Sequence, residues 1–65
     1  MNIAQAIAIA DGMQRPAYPD EFVEAYQLLV DEGIAWTLQE RIGRMAWEMI
    51  RAGLITSQSQ EGTQA

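Results

Sequence analysis

The 65-residue sequence contains no cysteine, no histidine and no lysine. Without cysteine there is no disulfide and no thiolate nucleophile, and without histidine no imidazole base; together these absences remove the usual ligand sets of zinc, haem and iron–sulfur sites. No apolar run approaches the roughly 18 to 20 residues of a membrane span, and no basic stretch precedes the Ile/Ala-rich start as a signal peptide requires. These features predict a cytoplasmic chain with no membrane partner. Positive charge is scarce as well. Arg15, Arg41, Arg44 and Arg51 stand against nine acids, for a formal charge of -5. Affinity for a phosphate backbone comes from clustered positive charge, so duplex DNA or RNA is excluded as an expected partner.

What the sequence has is apolar content: 49% hydrophobic against 20% charged residues, with four Met, two Trp, two Tyr and one Phe. That is a globular composition, and a chain this short forms one domain. It carries more apolar residues than one small core covers, which predicts self-association into a dimer or tetramer.

Three segments show helical spacing. The first starts at Asn2, a good N-cap with Gln5 in capping-box position, and runs over residues 3–11 to Gly12. Pro16 and Pro19 then mark a loop. Pro19 also suits the first position of a second helix, whose opening acids Asp20 and Glu21 favour a positive helix end. There Phe22, Tyr26, Leu29 and Val30 share a face, and the spacing predicts a helix over 19–32 closed by Gly33. Thr37 and Glu40 form a Thr-x-x-Glu box, predicting a third helix over 37–52 stopped by Gly53. Leu38, Ile42, Met45 and Met49 make its apolar stripe. Ala46, Ile50, Gly43, Trp36 and Trp47 widen that arc to roughly 200°, more than one core requires. The expected fold is all-α, three short helices per chain in a small bundle completed by homo-oligomerisation. Residues 1–55 form the domain and 56–65 a disordered polar tail.

Gly33-Ile34-Ala35-Trp36-Thr37-Leu38-Gln39, followed by Gly43-Arg44-Met45-Ala46 and Ile50-Arg51-Ala52-Gly53-Leu54, resembles a family of very short tailed-phage proteins of unknown function. The opening Ala6-Ile7-Ala8 and Gly12 match its start too. Glu40 stands where that family usually has glycine, and Ile42 where it often has tyrosine. The resemblance implies a phage or prophage origin and no chemistry by itself.

The catalytic inventory is poor: carboxylates, two tyrosines and a few hydroxyls, so no catalytic residue, metal site or cofactor is expected. Arg41, Arg44 and Arg51 share a helix face from which they can grip an anion through planar bidentate bonds, or Arg44 and Arg51 can pair within the helix with Glu48. Trp36, Gly43 and Trp47 fall close together beside Arg44. One reading is packing, with Trp36, Gly43, Trp47 and Ile50 as an oligomer interface and Gly43 admitting another helix closely. The other is a ligand site in which an indole stacks on a base while Gln39 and Arg44 donate, with Tyr18 and Tyr26 as a second aromatic wall. With the phage resemblance, these residues lead to the expectation of an accessory protein that counters a host process by sequestering a nucleotide immune signal at an oligomer interface. An inhibitor of a host protein, or a structural oligomer without a small ligand, are the alternatives.

Overall fold

A computed structural model describes residues 1–57 of the chain. Among them three α-helices and one 3-10 turn follow in the order α1 (Ile3–Asp11), α2 (Pro19–Asp31), the turn Ala35–Thr37, and α3 (Glu40–Arg51), with no strand. The all-helical, three-helix expectation holds for this chain.

The first two helices begin as their sequences dictate. Asn2 accepts the Gln5 backbone N–H at 2.7 Å, satisfying one of the open donors of the α1 N-terminus. In α2, Pro19 occupies the first turn, and the Glu21 carboxylate reaches back to accept the Ala17 N–H at 2.7 Å. The helix exits share one geometry. At Gly33, φ is +74°; its N–H bonds to the Val30 carbonyl and that of Ile34 to Leu29, the paired bonds of a left-handed glycine exit. Gly53 repeats this with Ile50 and Met49.

The third helix departs from expectation. Thr37 does not cap it: its hydroxyl donates to the Ile34 carbonyl at 2.9 Å, inside the 3-10 turn. The helix starts three residues later, at Glu40, with the Gln39 carbonyl receiving the N–H groups of Ile42 and Gly43. The physical reason lies at Ala35, which is fully buried. The sharp exit at Gly33 tucks this small residue against the core, and the chain must complete a tight turn before a new helix axis can begin.

The core joins Ala6, Ile9 and Ala10 of α1, Ala25, Tyr26, Leu29 and Val30 of α2, and Ile42, Ala46 and Met49 of α3. Ala6, Ala25 and Ala46 have no exposed surface, and the closest helix pairing is that of α1 with α2, while α3 rests chiefly on the 3-10 turn. Met45, expected in the apolar stripe, stands 42% exposed, because the buried arc is centred on Ile42, Ala46 and Met49. Arg41 ties α3 to α1, its guanidinium donating to the Asp11 carbonyl at 2.8 Å and to the Asp11 carboxylate at 3.2 Å. A cation there also complements the negative end of α1.

Packing runs past residue 55. Ile55 is buried, and the Gln27 amide brackets the next residue, accepting the Thr56 N–H and donating to the Thr56 carbonyl, both at 2.9 Å. Thr56, expected in the polar tail, is therefore held against α2, and Ser57, expected there too, is buried; the rest of that tail, 58–65, lies outside the described residues.

Candidate functional site

The 3-10 turn and α3 together build a surface around the two tryptophans. Trp36 is carried by the turn that Ala35 anchors, and Trp47 by the middle of α3. Their rings meet edge to face, with centroids 6.3 Å apart and planes at 86°. That geometry suits the aromatic quadrupole. Each ring nevertheless keeps much of its area in solvent, Trp36 being 44% and Trp47 43% exposed.

Gly43 explains how the turn reaches α3. A β-carbon at this position would lie 3.4 Å from the Ala35 carbonyl oxygen and 3.8 Å from Trp36 Cε3. The close neighbour that Gly43 admits is thus a segment of its own chain, where the sequence suggested the helix of another copy. Ile50, expected at the same interface, is half-buried and packs on the core.

Arg44 extends from α3 beside this pair and donates to the Glu40 carboxylate at 3.0 Å. It turns toward the N-terminus of the helix, away from the Glu48 pairing that the sequence suggested. Both side chains are largely solvated, at 71% and 86% exposure, so the pair contributes little stability and exchanges readily. Gln39 is exposed at the start of α3.

The two tyrosines stand in different surroundings. Tyr26 is 2% exposed, and its ring packs against Phe22 with centroids 5.1 Å apart, so it offers no face to a ligand. Burial raises its phenol above the usual value, against the opposing effect of Arg41. Tyr18 is exposed at the entry to α2, where its hydroxyl donates to Glu24 at 2.8 Å. That hydrogen bond raises its phenol, with desolvation and the negative charge of Glu24, Glu21 and Asp20 adding in the same direction. Tyr18 belongs to an acidic environment, unlike the arginine-bearing face of α3.

Among the described residues no group of three acidic side chains converges as a cation site, and no helix is long and apolar enough to cross a membrane. Two structural side chains escaped sequence reading. Arg41 bonds to Asp11 and Gln27 to Thr56. Their partners lie 30 and 29 residues away, and local spacing carries no signal for such contacts.

No curated protein and no solved structure is matched by this chain. Residues 16–64, well over half of the sequence and including α2, the 3-10 turn and α3, match a sequence family, and the chain belongs to that family, described as Domain of unknown function (DUF7417).

Proposed function

We propose that this chain is a non-catalytic interaction protein that works through the outward side of α3, with Trp47 at its centre and Trp36 bracing it, and that the face covers a protein surface. The observation carrying this reading is the tryptophan pair itself: two indoles pack edge to face while each leaves more than two-fifths of its surface in water. Tryptophan and arginine are enriched among the residues that dominate protein interfaces, and a ring already packed against a neighbour loses less conformational freedom on contact than a free one. Small ligands instead favour concave sites that enclose most of their surface. With a phage origin, as the resemblance implies, such a protein would counter a host process in the host cytoplasm, this face either covering a host protein or assembling the copies that do so.

Nucleotide sequestration draws support from Arg44, which projects beside Trp47 and is held only by a solvated pair. That reading needs a second wall opposite Trp47, which a further copy would have to supply. Two measurements separate the readings. Trp36→Ala and Trp47→Ala should keep helicity and lose association, whether with a second copy or with a different protein. Calorimetry against cyclic oligonucleotides and ADP-ribose derivatives should give no saturable heat. Saturable heat that weakens at least about tenfold in Arg44→Lys, where lysine keeps the charge and loses the planar fork, would transfer the function to nucleotide binding.

A further inference from the structure

The side of α3 turned away from the core carries a pattern that complements itself. At about 100° per residue, Glu40, Arg44, Trp47 and Arg51 fall within about 60° of one another, opposite the buried Ile42, Ala46 and Met49. All four are exposed. Read forward, the row is acid, arginine, indole, arginine, at spacings of four, three and four residues. Laid antiparallel against a copy of itself, the acid meets an arginine, the first arginine meets an indole, and the same two pairings recur in reverse order.

We infer that α3 pairs antiparallel with α3 of a second copy, placing Glu40 on the partner's Arg51 and Arg44 on the partner's Trp47. This rests on the interaction reading above and names the protein surface that the face covers. Three features support the second copy as occupant. Every side chain in the row gains a partner of complementary character, the central two as arginine over indole. The antiparallel arrangement sets each helix's positive end beside the other's negative end. The chain as a whole is acidic, yet Asp20, Glu21, Glu24, Asp31 and Glu32 lie on or beside α2, while the α3 row holds two arginines against one glutamate. This row is a surface on which two copies meet without opposing those acids. The spacing of four, three and four is also that of helices packing with a small crossing angle.

The experiment uses the full chain and sedimentation equilibrium. Wild type should dimerise with rising concentration, while Glu40→Arg and Arg51→Glu should each weaken self-association at least about tenfold, because each places like charges opposite one another at both ends. Mixed in equal amounts they should associate to within about threefold of wild type, since an antiparallel heterodimer restores opposite charges at both ends. Reversals at helix termini also act on the helix itself, so helicity is measured at monomeric dilution. A second readout avoids that effect. The chain has no native cysteine, so Glu40→Cys and Arg51→Cys chains joined by a short bifunctional maleimide should cross-link to each other in preference to themselves. A wild type that stays monomeric at the highest concentrations overturns the inference. So does a mixture no tighter than its components, or preferential cross-linking of the Glu40→Cys chain to itself. Loss of association in Trp47→Ala without rescue in the mixture would remove the antiparallel pairing and leave the interaction face. Association indifferent to Trp47→Ala would remove both.

Discussion

Gly43 gives the sharpest test of how the tryptophan face is built, because substitutions of two sizes should act in opposite directions. Glycine inside a helix is about 0.5 to 1 kcal/mol less favourable than alanine. The added β-carbon of Gly43→Ala would sit 3.4 Å from the Ala35 carbonyl oxygen and 3.8 Å from Trp36 Cε3, ordinary contact distances at the tight end. Gly43→Ala should therefore stabilise the fold by about 0.5 kcal/mol and leave the tryptophan pair in place. Gly43→Leu gains a similar helix preference but must place three further carbons where the 3-10 turn now lies. Overpacking of this kind costs about 1 to 3 kcal/mol, and separating the edge-to-face rings costs about 0.5 to 1.5 kcal/mol more. The net expectation is a loss of about 1 to 4 kcal/mol, with Trp36 displaced. Urea unfolding at low concentration, followed by far-UV and near-UV circular dichroism, reads both quantities, and dilution keeps association out of the fitted stability. An alanine variant destabilised by more than about 1 kcal/mol, or a leucine variant equal to wild type, would show that the turn does not rest on α3 at Gly43.

Three further expectations concern the scaffold. Gln27→Ala should cost about 1 to 2 kcal/mol by releasing Thr56, and chains ending at Ile55 should be less stable than chains ending at Ser57; equal urea midpoints would remove the amide clamp from the account. Leu29→Ala, at a fully buried position, should lose about 2 to 5 kcal/mol, enough to unfold much of a domain this size; a smaller loss in denaturant titration would mean that the core relaxes around the gap. Tyr26 has a folded pKa raised by burial, so its contribution is fully present below the unfolded value of about 10 and falls as pH rises through the folded one. Melting temperature should therefore drop above about pH 10, less steeply in Tyr26→Phe, and an identical alkaline slope in both proteins would contradict this.

How much of this was legible in the sequence varies by element. Asn2, Pro19 and the glycines at 12, 33 and 53 act on the backbone within a few residues, so the helix limits they set were readable almost to the residue. Thr37 misled because a hydroxyl can bond forward to a helix or back to a turn, and the choice depends on where Ala35 must be buried. The proximity of Trp36, Gly43 and Trp47 was legible from spacing, whereas the identity of Gly43's neighbour was not, since a glycine signals close approach without naming what approaches. Tyr26 shows the converse. An aromatic residue on an apolar helix face has the same spacing whether it fills a core or lines a pocket, and only the assembled fold buries it.

Trp36 and Trp47 are the only tryptophans in the chain, so intrinsic fluorescence reports directly on the proposed face. Emission and acrylamide quenching should be followed from nanomolar to near-millimolar protein. Emission should be that of solvent-exposed indole at high dilution, then shift to the blue and gain protection from quenching along the same concentration curve that sedimentation gives for association. Emission and quenching that stay constant while the mass doubles would put the interface elsewhere on the molecule and contradict the central claim.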